Sequence, residues 1–429
     1  MGAQDVVVLN GFAAIKEAFV DHKDAFSDRP NVFTMDFLSG YGKDIIFSKL
    51  NQGYKEKRKF AYSALRTLGM RMGPGSIEEH VRDEARQLCL KLSEEDGSSP
   101  RDVTENLSVS VANVICSMVF GKRYDYDDVR FVELMHVVMT LVANISANQP
   151  VAVFPFLRFV PGVNSSYKIL DELNKRVIAV LQEEIERHRE TLSDRENPRD
   201  FIDLILTELQ TQEKTVDGFT EENVVWIVQD LFLAGIETTT TTLRWALLHM
   251  VLHPEEQKKV QAELDSVLGP DPAVPSLAHR SRLPYTEATV MEIQRIRPTV
   301  PLTVPHAAVQ DTAFRGYHIP AGTQIIANLW STLTDPDFWP DPERFDPRRF
   351  LGPDGKVVSR PESFMPFSTG RRVCLGEQLA KMELFVIFSS LLKHFTFKLP
   401  EGAAAPSTDS SGVGVTLQPP TVKLCITPR

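Results

Sequence analysis

The chain has 429 residues, 42% of them hydrophobic, and a formal net charge of −10. This length and composition allow a large buried core, while the acidic balance excludes a general nucleic-acid binder, which needs a basic surface. Four scattered cysteines predict neither a disulfide framework nor a C-x-x-C zinc site, so a reducing compartment fits best. We find no apolar run of about 18 residues that predicts a transmembrane helix, and no signal peptide.

Helical periodicity dominates the chain, and short β-rich segments accompany it. In chain order, we predict a buried strand at Val6 to Leu9 and helices at Asn106 to Phe120, Asn174 to Arg189, Glu221 to Leu252, Pro254 to Leu268 and Tyr285 to Ile296. Gly316 to Ile319 and Thr323 to Asn328 flank a Pro-Ala-Gly turn and predict a small hairpin. No interruption is long enough for an interdomain linker. We therefore predict one mainly α domain with small β-sheets over residues 1–429.

The predicted helix from Glu221 to Leu252 is the longest. Thr220 can cap its start, and a His-Pro pair ends it. Its centre has an Ala-Gly pair at Ala234, followed by the threonine run Thr238 to Thr242, whose side chains are β-branched and can bond back to the backbone. We expect a kink or an opened turn there. Close packing of another helix against the small residues is the alternative.

The segment from Phe367 to Gly376 matches the pattern F-x-x-G-x-R-x-C-x-G at every fixed position. A chance match in one chain is rarer than about one in ten thousand at ordinary residue frequencies. A thiolate at Cys374 would donate electron density to a haem iron, and Arg372 suits a haem propionate. Glycines in the loop let backbone N–H groups approach the sulfur. The remaining cysteines are more simply small hydrophobic side chains: Cys89, Cys116 and Cys425.

This segment resembles the cysteine-ligand loop of the cytochromes P450, and the resemblance extends over essentially the whole chain. It implies the cytochrome P450 fold, haem b as the cofactor and Cys374 as the axial ligand of the iron. Gly53 to Phe60 resembles the family's W-x-x-x-R helix, with tyrosine in place of tryptophan, which weakens the propionate role of that tyrosine. His306 stands where the family often has a propionate-binding residue, and a satisfied core histidine is the alternative. The implied haem-binding set is Cys374, Arg372, Arg58, His306, Tyr54, Phe367 and Gly376.

The sequence from Glu292 to Arg295 matches the family's E-x-x-R motif, although this pattern alone is weak. Its position before the predicted hairpin supports it, and Pro342 to Phe345 follows as the second half of the family motif. The resemblance implies that Arg344 completes a buried structural network with Glu292 and Arg295. We interpret the other matching pairs as solvated helix faces: Glu79/Arg82, Glu184/Arg187, Glu186/Arg189 and Glu196/Arg199.

Ala234 to Thr238 resembles the A-G-x-E/D-T stretch that crosses the distal face of the haem in this family. The resemblance implies that Glu237 and Thr238 are catalytic, the hydroxyl relaying protons and the carboxylate supporting their delivery. Simple helix packing by the threonine run is the alternative. The family's pocket positions are mostly apolar here and predict a hydrophobic small-molecule substrate: Phe232, Ala234, Val300, Val304, Val415 and Thr416.

Neither a G-x-G-x-x-G motif nor a P-loop occurs in the sequence, so a partner must deliver electrons. By the resemblance, this partner is NADPH-cytochrome P450 reductase, with cytochrome b5 as a second candidate, docking on a basic patch on the thiolate side. For Lys55 or Lys57 taken singly, an ordinary solvated helix face is the better interpretation. The predicted patch consists of Lys55, Lys57, Lys59, Arg371 and Lys381.

Details such as Asp28-Arg29-Pro30 resemble microsomal family two, whose members oxidise xenobiotics and lipids at the cytoplasmic face of the endoplasmic reticulum. The implied function is an O2-dependent monooxygenase for hydrophobic small molecules: xenobiotics, fatty acids, steroids or similar lipids. Members begin with a membrane anchor, a hinge and a first helix and strand that we do not find, so we expect a truncated form. A haem-binding but silent protein and a reductase-independent isomerase or peroxygenase are the alternatives. Phe154 to Val160 predicts a loop that dips into a membrane or, equally well, a buried loop.

Overall fold

Helices make up most of the computed structural model, which describes residues 5–69, 75–94, 99–147, 149–194, 196–211, 219–269, 273–357, 360–409 and 414–429. The α-helices are α1 (Phe12–Lys16), α2 (Phe33–Leu38), α3 (Gln52–Gly69), α4 (Ile77–Ser93), α5 (Thr104–Phe120), α6 (Val129–Ala147), α7 (Gln149–Val153), α8 (Ser165–Thr191), α9 (Phe201–Thr211), α10 (Asn223–Leu252), α11 (Pro254–Leu268), α12 (Pro284–Ile296), α13 (Leu329–Leu333) and α14 (Glu377–His394). The strands are β1 (Val6–Asn10), β2 (His306–Ala307), β3 (Thr312–Phe314), β4 (Tyr317–Ile319), β5 (Gln324–Asn328), β6 (Phe395–Lys398) and β7 (Cys425–Pro428). The predicted mainly α fold with small β-sheets is confirmed.

Helix α10 packs against α5, α8 and α14 at the centre of the helical core. Its 30 residues are apolar on most faces, as expected of a buried helix, and span about 45 Å. The helix begins at Asn223, whose Oδ1 accepts a hydrogen bond from the backbone N–H of Thr220 at 2.6 Å. The predicted start at Glu221 with Thr220 as the cap is therefore wrong, because Thr220 donates this bond and does not cap the helix.

The Ala-Gly-threonine centre of α10 remains helical, without the opened turn that we expected between residues 223 and 252. The hydroxyls of Thr238 and Thr242 donate to the carbonyls of Ala234 and Thr238, at 2.7 and 2.9 Å, and the helix tolerates these bonds. Gly235 lies against α5, where an added Cβ would be 2.6 Å from Ile115 Cδ1. Gly235 therefore shows the close helix packing that we gave as the alternative interpretation of this region.

In the described part of the chain, the strands form three small sheets. β5 lies between β1, which is parallel to it, and β2, which is antiparallel, whereas β3 pairs with β4 and β6 with β7. The predicted pairing of the segments now called β4 and β5 is wrong. The two-residue turn is Arg315-Gly316, with φ of 50° and 83°, as a tight hairpin requires, and it joins β3 to β4. Strand β5 is mostly buried and has partners on both edges.

Strand β1 confirms the predicted strand at Val6 to Leu9 but not its burial, since Leu9 is buried and Val8 is 48% exposed. The sheet side of the molecule has its own small core, which includes Phe19 and Ile325. Another cluster packs on α12 and includes Trp339. None of the described helices is both long and apolar enough to cross a membrane.

Candidate active site

Cys374 lies in a tight loop that leads into α14. Its backbone N–H donates to the carbonyl of Phe367 at 3.0 Å, and Ser368 and Gly370 adopt positive φ of 62° and 77° to reverse the chain. The backbone of Gly370 passes so close to the carbonyl of Phe19 that an added Cβ would overlap it. Close packing and backbone conformation thus both require the first glycine of the sequence pattern.

The sulfur of Cys374 lies in an environment suited to a thiolate. Its side chain keeps accessible surface, yet burial raises the pKa of the thiol, and we interpret this combination as a thiol that faces an internal cleft. Backbone N–H groups of Gly376 and Glu377 point at the sulfur and, together with the positive charge of Arg58, oppose this rise in pKa. Such donors stabilise the anionic form of sulfur, which is the form that ligates iron.

Hydrogen bonds hold two chain segments beside the centre of α10. Thr242 Oγ1 lies 2.8 Å from Thr299 Oγ1, and the N–H of Leu417 donates to the carbonyl of Thr299 at 2.7 Å. On the side of α14, Thr239 Oγ1 donates to Glu383 Oε2 at 3.2 Å. The middle of α10 is therefore fixed between these segments and the helix that follows the cysteine loop.

Four of the predicted pocket residues keep accessible apolar surface in this region. Ala234 is exposed although it lies in the middle of α10, Val415 is 39% exposed, and Val300 and Val304 are half-buried. Leu302, which we did not predict, is 47% exposed and lies between the two valines in sequence. We interpret this apolar surface as the wall of the cleft, since the segments that carry it converge there.

The other two predicted pocket residues have different surroundings. Phe232 is fully buried and its ring lies 5.6 Å from that of Phe120, so it packs on the α5 face of α10 and its predicted pocket role is wrong. Thr416 is 6% exposed, and its hydroxyl donates to Glu237 Oε1 at 2.7 Å. Thr416 therefore contacts the predicted catalytic carboxylate.

Glu237 and Thr238 form separate contacts. The carboxylate of Glu237 is 2% exposed and accepts hydrogen bonds from Thr416 and Gln418. Burial raises the pKa of Glu237, and its hydrogen-bond donors oppose the rise. The half-buried hydroxyl of Thr238 donates to the carbonyl of Ala234, which leaves its oxygen free to accept. A direct hydrogen bond between the acid and the alcohol is not among the contacts of these two described residues.

Two buried guanidinium groups lie close together at one edge of the site. Arg29 Nη1 donates to the carbonyls of Val304 and Pro305 at 3.0 and 2.8 Å, and Arg372 Nη2 donates to the carbonyl of Ser48 at 2.7 Å. Burial, and then the charge of Arg372, lowers the pKa of Arg29 to about 9. Among the described residues, neither guanidinium forms an ion pair with a carboxylate, although the negative charge of Asp44 acts on both of them from farther away. Two buried cations without a bound anion fit the two propionates of a haem.

Arg29 is a site residue that we did not predict from the sequence. Its only signal is the Asp28-Arg29-Pro30 triplet, which we used as a family detail. Its contacts are to backbone carbonyls, and such contacts leave no periodic pattern in a sequence.

Arg58 and Tyr54 of α3 hold the cysteine loop. Arg58 Nη2 donates to the carbonyl of Val373 at 2.5 Å, and the Tyr54 hydroxyl donates to the carbonyl of Arg371 at 3.3 Å. The guanidinium carbon of Arg372 lies 3.6 Å from the centre of the Tyr54 ring. Contact of either residue with a propionate stays a prediction, and for Tyr54 the hydroxyl is already engaged.

His306 is buried beside the two arginines. Its Nδ1 lies 2.8 Å from the carbonyl of Phe26, and its ring stacks on Phe19 at 4.0 Å between centroids. Burial, followed by the charge of Arg29, holds the pKa of His306 well below its usual value. A neutral ring that donates from Nδ1 has only an acceptor at Nε2, whereas a nearby propionate would raise the pKa and favour a second donor. The core-histidine alternative therefore describes the contacts present, and the propionate role stays a prediction.

The E-x-x-R pair is buried as expected, but a different arginine from the predicted one completes its network. Glu292 and Arg295 are fully buried, and the two N–O distances between them are 2.7 and 2.8 Å. The Arg344 side chain is 62% exposed, so its predicted place in the network is wrong. Arg349, which is 12% exposed, brings Nε to 3.4 Å from Glu292 Oε1. The short helical turn Pro347–Phe350 directs Arg349 inward.

The predicted docking patch is smaller than we expected. Lys55 and Lys59 are exposed on α3. Lys57 is only 3% exposed and lies on the inward stripe of the helix with Tyr54, so its predicted place on the surface is wrong. The other two members each form an ion pair, Arg371 with Asp24 and Lys381 with Glu377.

Comparisons with known proteins agree with these features. A model of the Cytochrome P450 family matches residues 1–426. Human Cytochrome P450 2U1 is 39% identical over 429 residues, which cover 99% of this chain and 77% of the human protein. Dog Cytochrome P450 2D15 is 38% identical over 431 residues, which cover 99% of this chain and 84% of the dog protein. Pig Vitamin D(3) 25-hydroxylase is 39% identical over 430 residues, with the same coverage.

Proposed function

Because the chain belongs to the cytochrome P450 family, and is thus a haem-thiolate monooxygenase, we propose that it hydroxylates hydrophobic small molecules with O2 and electrons from NADPH-cytochrome P450 reductase. The proposed substrates are xenobiotics, fatty acids, steroids or similar lipids. The observation that carries the proposal is the accessible thiol of Cys374, at which the backbone N–H groups of Gly376 and Glu377 point. A relative named for the hydroxylation of vitamin D(3) supports a lipid-like substrate.

Haem b, when bound, supplies the reductive activation of O2. Cys374 would ligate the iron, and the N–H groups of Gly376 and Glu377 would help to stabilise its sulfur in the anionic form. Arg29 and Arg372 would hold the propionates, since both guanidinium groups are buried and neither forms an ion pair among the described residues. Ala234 and its apolar neighbours exclude water and contact the substrate.

Proton delivery is assigned to Glu237 and Thr238. The Thr238 oxygen has lone pairs available, because its hydrogen is donated to the helix backbone. Glu237 is buried with a raised pKa, which suits a carboxyl group that holds a proton and passes it on. A water between the two side chains would complete this route.

Electrons are delivered at the thiolate side of the molecule. The exposed Lys55 and Lys59 support docking of a partner with an acidic surface, and such docking weakens with salt. Cytochrome b5 is a second proposed partner for the same patch. We further propose that the protein lies on the cytoplasmic face of the endoplasmic reticulum membrane, which the exposed phenylalanines at positions 154, 156 and 159 would contact.

A carbon monoxide difference spectrum tests the haem-thiolate site, and turnover assays test the reaction. We expect the reduced, carbon monoxide-bound holoprotein to show the red-shifted Soret band of thiolate ligation, and Cys374→His to lose it. Product analysis with a lipid and xenobiotic panel is then run with reductase and NADPH, or with peroxide alone. Product from peroxide only would favour a peroxygenase, and a normal spectrum without any product would favour a silent haem protein.

A further inference from the structure

The buried lysine Lys57 lies beneath a short strap formed by residues 42–48. Its Nζ donates to the carbonyl of Gly42 at 2.8 Å and to Ser48 Oγ at 2.9 Å. Ser48 Oγ in turn lies 2.8 Å from the carbonyl oxygen of Gly42 and 3.1 Å from Asp44 Oδ1, and it also contacts the carbonyl of Asp44, so one hydroxyl connects the ammonium with the strap backbone and with its acid. Lys57, Ser48 and Asp44 are 3%, 2% and 1% exposed.

A charged side chain inside a protein costs free energy unless several groups compensate for it. Lys57 has such groups, because its ammonium donates to Gly42 and Ser48 at the two ends of the strap and is attracted by the charge of Asp44. Asp44 also accepts a hydrogen bond from the N–H of Phe47 at 2.7 Å. The chain Lys57-Ser48-Asp44 therefore fixes the conformation of the whole strap.

The backbone of the strap joins α10 to the two arginines. The N–H groups of Ile45 and Ile46 donate to Asp230 Oδ2 of α10 at 2.7 and 3.0 Å. In the opposite direction, the carbonyl of Ile46 accepts from Arg29 Nε at 2.8 Å. The carbonyls of Ile45 and Ser48 accept from Arg372 at 3.3 and 2.7 Å. The strap carbonyls therefore help to orient both guanidinium groups, together with the carbonyls of Val304 and Pro305 for Arg29 and that of Ser27 for Arg372.

We propose that Lys57 is a positioning residue, which acts through Ser48 and Asp44 to hold the strap that aims Arg29 and Arg372 at the haem propionates. The proposal rests on the proposed function, since it needs haem in the cleft. It gives a role to a lysine whose sequence pattern predicted only surface charge.

The first test uses Ser48→Ala, which breaks the link without changing any charge. We expect haem transfer to excess apomyoglobin to become about tenfold faster, as is typical when a residue that supports a metal site is lost. We also expect a more negative haem reduction potential, because the guanidinium charges would neutralise the propionates less well. Lys57→Met should give the same two changes, and Arg66→Met, which removes an exposed cation of the same helix, should give neither.

The double variant Asp44→Asn with Lys57→Met separates geometry from charge, because it removes one charge of each sign. A shift of the potential that persists in the double variant supports the positioning role. If Ser48→Ala and Lys57→Met only lower the unfolding temperature and leave haem loss and potential unchanged, the residues are merely structural and the proposal is wrong. Absence of the thiolate Soret band in the unaltered protein would instead contradict the proposed function itself.

Discussion

Single side chains in α10 differ sharply in what surrounds them, even within the threonine run. Thr238 is half-buried at the cleft, whereas Thr240 is fully buried and its hydroxyl has no partner among the described residues. Two residues of one helical turn thus place one hydroxyl at the surface of the proposed cleft and the other in the core. This difference offers a matched pair of variants for the proton-delivery proposal.

Thr238→Ala is expected to separate O2 consumption from product formation. The variant removes the hydroxyl nearest the cleft, so the fraction of consumed O2 that appears as product should fall by about tenfold or more. Thr240→Ala should leave this fraction unchanged. Oxygen electrode and product measurements on the same samples check the prediction, and equal coupling in both variants would contradict the proton role of Thr238.

His249, near the end of α10, is a site of local destabilisation. It is 2% exposed, and neither ring nitrogen has a hydrogen-bond partner in the part of the chain that the structure describes. Burial, followed by the charge of Arg297, lowers the pKa of His249 to about 3. Its compensating contact is a stacked arrangement with Phe345 at 4.7 Å.

His249→Leu is expected to stabilise the protein by about 1 kcal/mol at pH 7, because unpaired buried nitrogens are removed. The unfolded chain binds a proton at the usual pKa of 6.5 while the folded protein does not, so stability is lost as the pH falls below 6.5. The advantage of the variant should therefore grow by about 1.4 kcal/mol per pH unit below that value. Thermal unfolding at several pH values checks this, with the more exposed His253→Leu as the control. A constant difference between the His249 variant and the original protein would refute the assignment.

The connection between α12 and the turn Pro347–Phe350 depends on one buried ion pair and one added arginine. Glu292 accepts from Arg295 and from the backbone N–H of Asp346 at 2.9 Å, and it also faces Arg349. Arg295 in turn donates to the carbonyls of Leu333 and Pro342. Glu292 needs the positive charges of Arg295 and Arg349, because a buried carboxylate without a partner is strongly destabilising.

Arg349→Ala is expected to destabilise the protein by about 3 kcal/mol. This value is at the lower end of the range for removing one partner of a buried ion pair, because Arg295 still pairs with Glu292. Arg344→Ala should change stability by less than about 0.5 kcal/mol, since that side chain is mostly exposed. Urea unfolding of the holoproteins checks both values. If Arg349→Ala does not fold, Arg349→Lys can be measured instead, because it keeps the positive charge and should lower the stability less. Equal costs for the two alanine variants would restore the original assignment of Arg344.

The sequence predicts elements well where the signal is local. Helix α11 has the predicted bounds, Pro254–Leu268, because proline opens it and glycine follows it. The cysteine loop is equally recognisable, since its fixed residues are required by the conformation of the backbone or by the electronic properties of the thiolate. Strand pairing is not local, so the predicted hairpin joined segments that belong to different sheets.

The side-chain errors have a related cause. Arg344 and Arg349 lie in similar turn-rich sequence, and only the course of the backbone decides which one turns inward. Glu184 was interpreted as part of a solvated pair, yet it is 5% exposed and meets Lys122 from the end of α5. The burial of Lys57 follows the helical spacing from Tyr54 to Ala61, a signal that its charge concealed.

The protein as a whole combines a net charge of −10 with a concentrated group of exposed apolar side chains among its described residues. Phe154, Phe156 and Phe159 are 46%, 62% and 71% exposed around a short helical turn, so the buried-loop alternative for this segment is wrong. The Arg158 guanidinium stacks on Phe33 of α2 and on Phe159, at 4.4 Å from each ring. Arg158 therefore braces this apolar face against the body of the molecule.

Phe156→Ser and Phe159→Ser are expected to weaken binding to phosphatidylcholine vesicles by about tenfold each, because inserting an exposed phenylalanine into lipid gains roughly 1–2 kcal/mol. The net negative charge should make binding to neutral vesicles stronger than to anionic ones. Co-sedimentation measures both effects, with Tyr62→Ser, an exposed aromatic on α3, as the matched control. Binding that is equal for all three variants would show that another surface contacts the membrane. Stronger binding to anionic vesicles would instead point to the basic patch of Lys55 and Lys59, and would place the lipid on the same side as the reductase.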